Sequence, residues 1–311
     1  MHIFEAFLNR SNVVILDGAL ATEIERQGED LRHKLWSAKL LIENPSLIKA
    51  VHKEYLISGA DVITTCSYQA TFQGFQELSI GKEEAKKLLL DSSKIAIEAR
   101  HELIAENKLR DPFPLIASSI GPYGAYLANG SEYRGDYGKT VDELISFHRE
   151  RLECLMKSNV DLFACETIPC SEEAKAFIKL LSEYPDSNAW ITFTCKDESH
   201  ISSGELFERC VSLANASQQV IAVGVNCSNP AFVDSLIKIA KRVTDKLIVV
   251  YPNKGETWDS MNHRWMPGTE SVNLVDAAVL WHKSGARLIG GCCRTSPADI
   301  AALCAKLKHL Q

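Results

Sequence analysis

The chain has 311 residues, 46% hydrophobic and 24% charged, which is enough apolar material for a large core and excludes a disordered polypeptide. With 34 basic against 40 acidic side chains the formal charge is −6, and no basic run is long enough to follow a phosphate backbone, so nucleic acid is not an expected partner. No stretch approaches the ~18 apolar residues of a membrane span, and the opening MHIFEAFLNRSNVVILDG lacks the basic flank and cleavage site of a leader, so a cytoplasmic protein without a membrane partner is expected.

Eight short apolar runs alternate with segments of helical period. In chain order they are Val13 to Asp17, Val62 to Cys66, Leu115 to Ile120, Leu162 to Glu166, Trp190 to Cys195, Ile221 to Asn226, Leu247 to Tyr251 and Arg287 to Gly290. Their near-continuous apolar character predicts parallel strands covered on both faces. Between them Pro45 opens the helical segment SLIKAVHKEYLISG, Ser171 is placed to cap EEAKAFIKLLSEY, and Pro297 opens ADIAALCAKLKHL. This α/β alternation allows an open doubly wound sheet or a closed (β/α)8 TIM barrel. Eight strands, and no glycine-rich fingerprint after the first, favour the barrel, as a single domain over residues 1–311; a monomer is the default expectation.

In such a barrel the chemistry gathers at the carboxyl ends of the strands. There the sequence places Asp17-Gly18, Glu166-Thr167, Asn226-Cys227, Tyr251-Pro252-Asn253 and Gly290-Gly291-Cys292-Cys293. Three cysteines with a vacant fourth position would form a soft, catalytic zinc site, and zinc would deprotonate a thiol whose free pKa is ~8.5. Adjacent Cys292 and Cys293 cannot both face inward from a regular strand, and the glycines before them would supply the freedom to leave strand geometry. The competing readings are three inert buried cysteines or a vicinal disulfide.

Asp17 and Glu166 would hold the ammonium of an amino-acid substrate, with the Gly18 and Ala19 amides receiving its carboxylate and Asn226 alongside. General acid and base work is the alternative for the pair, and helix capping for Asp17. The long segment after the third run, Gly121 to Tyr137, carries four tyrosines. Tyr123, Tyr126 and Tyr133 are candidates for a lid over a cationic donor, against the plainer reading of a loop packed on the rim. The segment Lys254 to Thr269, with Trp258, His263 and Trp265, is a second long connection.

The remaining cysteines, Cys66, Cys154, Cys165, Cys170, Cys195, Cys210 and Cys304, read as small packed hydrophobes, and no histidine is given a catalytic role. Two other functions are open on residues alone. One is a Schiff-base aldolase through Lys196 or Lys254, and the other is a zinc or redox sensor through Cys292 and Cys293.

The segments LDGALATEIE, SYQATFQGF, IGPYGAYLANGSEYRGDY, ACETIP, GVNC, VVYPN and RLIGGCCRTSPADI together resemble the homocysteine S-methyltransferase family over nearly the whole chain. The chain is most similar to the short branch that uses S-methylmethionine. The resemblance implies a (β/α)8 barrel, zinc held by Cys227, Cys292 and Cys293, and the amino group of L-homocysteine held by Asp17 and Glu166. It implies methyl transfer from S-methylmethionine to homocysteine, giving methionine, with S-adenosylmethionine as a poorer donor and a selenol such as selenocysteine as an alternative acceptor. The segment GPYGAYLANGSEYRGDY carries the donor assignment.

Overall fold

The computed structural model describes residues 3–29, 39–255, 257–259, 264–266 and 272–310. Its strands are β1 (Val14–Ile15), β2 (Val62–Thr64), β3 (Leu115–Ile120), β4 (Leu162–Ile168), β5 (Ala189–Phe193), β6 (Val220–Asn226), β7 (Leu247–Tyr251), β8 (Thr257–Asp259), β9 (Arg264–Met266) and β10 (Ala286–Ile289). Eight of them form one parallel sheet in the order β1-β10-β7-β6-β5-β4-β3-β2, and a parallel bridge between Leu16 and Val62 joins its two ends into a barrel. β8 and β9 lie outside the ring as an antiparallel pair, with Trp258 opposite Trp265, inside the second long connection. His263 lies outside the described residues.

The barrel is filled because the register matches large to small. Trp190 on β5 is fully buried and sits level with Ala164 on β4 and Ala222 on β6, whose small methyl side chains leave room for the indole. Phe4 and Phe7, on and beside the helix Glu5–Ser11, join the same cluster and close the amino end. The β1–β2 seam is short. Backbone bonds run from Asp61 N to Ile15 O (2.7 Å) and from Asp17 N to Val62 O (3.0 Å). Two carboxylates add to them: Ile15 N donates to Asp61 Oδ2 at 2.9 Å and Thr64 N to Asp17 Oδ2 at 2.7 Å.

Local signals set the helices. Asn44 caps Pro45–Ile57 through the Leu47 amide, Ser296 and Asp299 form a capping box on Pro297–Leu307, and Thr140 with Glu143 does the same for Val141–Leu155. Ser171 departs from expectation. It is the first helical residue of Ser171–Ser182 rather than its cap, and its amide donates to Glu205 Oε2 at 2.9 Å, so a side chain from a later loop satisfies that donor. No helix among the described residues is long and apolar enough to cross a membrane.

The segment after β3 is tied down by one buried carboxylate. Glu173 accepts from the Tyr123 amide (2.6 Å), from His148 Nε2 (2.7 Å) and from the Tyr137 hydroxyl, which grips both ends of the segment. Arg151 donates to His148 Nδ1 (2.7 Å) and to Gly121 O (2.6 Å). Burial holds the His148 pKa down at about 4, so the ring is neutral, donating from Nε2 and accepting at Nδ1. Removing Glu173 leaves Arg151 as an uncompensated buried charge. Glu173→Ala is expected to cost about 3–5 kcal/mol, read as a lower urea midpoint. A midpoint unchanged from wild type would show that the cluster does not hold the fold.

Candidate functional site

Asp17 leaves β1 with its carboxylate turned across the seam. Besides the Thr64 amide it accepts from Thr64 Oγ1 at 3.1 Å, and it is 4% exposed. The next helix, Leu20–Arg26, is capped by Ala19, so capping by Asp17 does not occur. The Ala19 amide donates to Thr295 Oγ1 at 3.2 Å, so one of the two amides expected to face a substrate carboxylate already has a protein acceptor.

Glu166 owes its direction to a break in strand register. The β4–β5 pairing shifts between Cys165 and Ile168, and Thr167 within it takes φ +64°, a conformation that costs a β-branched residue about 1–3 kcal/mol. Asn226 holds that strained point. Its Oδ1 accepts from Thr167 N at 2.8 Å and its Nδ2 donates to Thr167 Oγ1 at 2.9 Å. Asn226, expected beside the substrate, therefore has both ends of its amide engaged with Thr167 and shapes the rim through it.

The Glu166 carboxylate accepts from Ser119 Oγ and from the Tyr251 hydroxyl. Tyr251 in turn receives Trp190 Nε1 at 3.0 Å and lies 2.9 Å from Thr192 Oγ1, so a chain of donors runs from the barrel core to the rim. Burial raises the Asp17 pKa to about 8, with the Glu166 charge adding to it and the Thr64 donors opposing, and burial raises Glu166 as well. No cation is bonded to either carboxylate among the described residues.

The three cysteines meet on the same rim. Cys227 follows β6 at φ +46°, which turns it out of strand alternation, and its amide donates to Tyr251 O at 3.1 Å. Cys292 and Cys293 follow β10, fixed by Cys292 N to Pro252 O (2.8 Å), Lys254 N to Cys293 O (3.2 Å) and Thr295 Oγ1 to Cys292 O (2.6 Å). The Sγ of Cys293 lies 3.9 Å from that of Cys227 and 3.9 Å from that of Cys292, while Cys227 and Cys292 are joined as a disulfide. The bond is therefore not the vicinal one considered from sequence. The role given to the glycines also changes. Gly290 and Gly291 do not take positive φ; a Cβ at Gly290 would meet Leu16 Cβ at 2.6 Å and one at Gly291 would meet Thr295 at 2.5 Å, so close packing is what requires them.

Within the long segment the tyrosines separate. Tyr123 and Tyr126 stack with Phe147 (centroids 4.9 and 5.4 Å), and the Tyr126 hydroxyl donates to Glu77 Oε1, which makes them part of the packing on the outer helices. Tyr133 is different. It feels the charges of Cys293, Glu132 and Tyr68 and belongs to the cysteine rim. Of the remaining cysteines all are buried except Cys304, which is partly so, as expected of packing residues. Lys196 is exposed, and Lys254 is exposed and paired with Asp299 at 2.9 Å, which leaves neither the desolvated setting of a Schiff-base lysine.

The residues missed from sequence are the supports Thr64, Tyr68, Ser119, Glu132 and Thr295. Thr64 and Ser119 sit where polar letters interrupt an apolar strand near its carboxyl end, as Thr192 does, and that interruption was the available signal.

Comparison with known proteins agrees with this arrangement. A family profile described as homocysteine S-methyltransferase matches residues 14–307. The chain is 47% identical to the homocysteine S-methyltransferase YbgG of Bacillus subtilis, over 100% of this chain and 99% of that one. Crystal structures of the homocysteine methyltransferase MmuM of Escherichia coli superpose with TM-scores of 0.88 for a metallated form (43% identity, 97% of this chain, 99% of that one) and 0.87 for an oxidised form (42% identity, 98% and 99%). A barrel rim carrying two buried carboxylates beside three clustered sulfurs, together with these matches over essentially the full length, establishes that the chain belongs to the homocysteine S-methyltransferase family.

Proposed function

We propose that the chain moves a methyl group from S-methylmethionine to the thiol of L-homocysteine on a zinc ion held by Cys227, Cys292 and Cys293, with S-adenosylmethionine as a poorer donor. The observation that carries the metal assignment is the sulfur cluster, whose three Sγ atoms lie within 4.8 Å of one another. Zn–S bonds of ~2.3 Å in a tetrahedron separate sulfurs by ~3.8 Å, and the two 3.9 Å spacings fit that requirement. Cys227 and Cys292 must be reduced before all three act as ligands. Bound zinc supplies the acidity that makes a coordinated thiol a thiolate at neutral pH.

The protein's own groups do the rest. Asp17 and Glu166 are fixed acceptors, oriented in advance by Thr64, Ser119 and Tyr251, and they receive the ammonium of homocysteine without having to rearrange. That grip orients the substrate sulfur toward the cysteines. Its lone pair forms the new S–CH₃ bond as the donor's S–CH₃ bond breaks, and the released electron pair leaves the donor as a neutral thioether. The proposal takes residues 1–311 as one domain, a monomer in the reducing cytoplasm.

The direct test is methionine formation by reduced, zinc-loaded protein given homocysteine with S-methylmethionine, S-adenosylmethionine or betaine in parallel. The expected order of rates is S-methylmethionine, then S-adenosylmethionine, with betaine inactive; no product from any donor would refute the reading. Cys293→Ser is expected to lower turnover at least about 100-fold with an unchanged melting temperature, and a variant retaining full zinc and full rate would remove Cys293 from the ligand set.

Proton uptake and release tests the carboxylates. With a pKa of about 8, free Asp17 is protonated below that pH, while an ammonium partner requires the anion. Binding of L-methionine, which has no thiol to ionise, should therefore release up to about one proton at pH 7, and the release should fall as the pH rises through about 8. Calorimetry in two buffers of different ionisation enthalpy measures it, and equal release by Asp17→Asn would contradict the assignment.

A further inference from the structure

We propose that Glu132 is the specificity-determining anion for the methyl donor, placing its carboxylate against the positive sulfonium centre; this rests on the methyl-transfer reading above. Glu132 lies in the turn Ser131–Tyr133, in the long segment after β3, and its Oε2 is a buried oxygen with no hydrogen-bond partner among the described residues. Such an atom is costly to leave alone, by the same reasoning that pairs nearly all buried polar groups. Burial pushes its carboxyl up to about 7, only partly opposed by its own backbone amide and the charge of Arg134. Arg134 is the cation on the same turn, but it is turned to Asp136 (3.2 Å), Asn129 O (3.2 Å) and Ser131 Oγ (3.0 Å).

The position of this oxygen is what makes it selective. The turn that carries Glu132 packs against β4 and is bonded to Thr194 just beyond β5, at the carboxyl end of the barrel, and the Glu132 charge acts on the Cys293 sulfur and on the Tyr68 and Tyr133 hydroxyls, so the carboxylate belongs to the same rim as the sulfur cluster. Its backbone is held from two directions. Thr194 Oγ1 donates to Glu132 O at 3.0 Å, and Gly124 packs so closely that a Cβ there would lie 2.5 Å from Glu132 N. Methyl transfer needs the donor sulfur near the acceptor sulfur, with reacting atoms at about 3–3.5 Å. In the reaction the positive charge of the sulfonium is cancelled against the negative charge of the acceptor thiolate, so an anion at this place binds the donor and loses its hold on the neutral thioether product. It stabilises the bound donor more than the transition state, where the positive charge is already dispersing, and its contribution falls on KM rather than kcat.

The test uses reduced, zinc-loaded full-length protein with Glu132→Gln, which keeps the shape and removes the charge, and Glu132→Asp, which keeps the charge on a shorter stem. Glu132→Gln is expected to raise KM for S-methylmethionine about 10- to 100-fold, with kcat equal to or above wild type. KM for homocysteine and the Kd of neutral L-methionine should move less than about 2-fold, and Glu132→Asp should recover part of the loss. An unchanged donor KM, or equal loss of affinity for S-methylmethionine and L-methionine, would overturn the inference and leave Glu132 a structural residue. If wild type makes no methionine, the methyl-transfer reading fails; calorimetric binding of S-methylmethionine against L-methionine to wild type and Glu132→Gln then decides the role of Glu132 separately.

Discussion

A single buried carboxylate, Glu173, organises the wall around the site. It has no water to solvate it, so its oxygens must be satisfied by donors brought from the Tyr123 amide, the Tyr137 hydroxyl and His148, with Arg151 supplying the opposite charge through the imidazole. Two of those donors sit at opposite ends of one long segment. The intervening turn, with Glu132 and Tyr133, is thereby kept at the carboxyl end of the barrel, where Thr194 Oγ1 bonds to it. Arg151 extends the same control to Gly121 O, at the exit of β3.

The other buried polar groups on the rim work by pointing acceptors inward. The chain from Trp190 through Tyr251 to Glu166 begins in the barrel interior, where the alanine neighbours of Trp190 leave room for the indole, and ends at a buried carboxylate on the rim. Asn226 stabilises the strained backbone at Thr167 that frees Glu166 from the strand's alternation. The cost of these arrangements is met when the protein folds, which leaves little reorganisation for the moment of binding.

Much of this was legible in the sequence because it depends on period and composition. Runs of β-branched residues alternating with helical segments specify the parallel barrel, and the cysteines and carboxylates could be placed because strand ends are where such a barrel carries its site. What was not legible depends on single contacts between distant residues. The register shift that turns Glu166 has no local signature, since Thr167 is a poor candidate for positive φ and is held there by Asn226, 59 residues away. The Gly290-Gly291 pair reads equally well as flexibility or as close packing, and only Leu16 and Thr295 decide it. Tyr123 and Tyr133 are indistinguishable in a tyrosine-rich stretch until Phe147 claims one and the cysteine rim the other.

The β1–β2 seam carries a further consequence. Its two stapling carboxylates differ in their surroundings. Asp61, at the amino end, is neutralised by Arg10 and Lys308 at 2.9 and 2.8 Å, whereas no cation is bonded to Asp17, at the carboxyl end, among the described residues. If the amino group of homocysteine sits on Asp17 as proposed, the substrate is the missing counterion of the barrel's shortest joint. Binding would then slow hydrogen exchange at the Thr64 amide and resist opening of the ring, so that supply of the amino acid governs how tightly the cylinder stays shut.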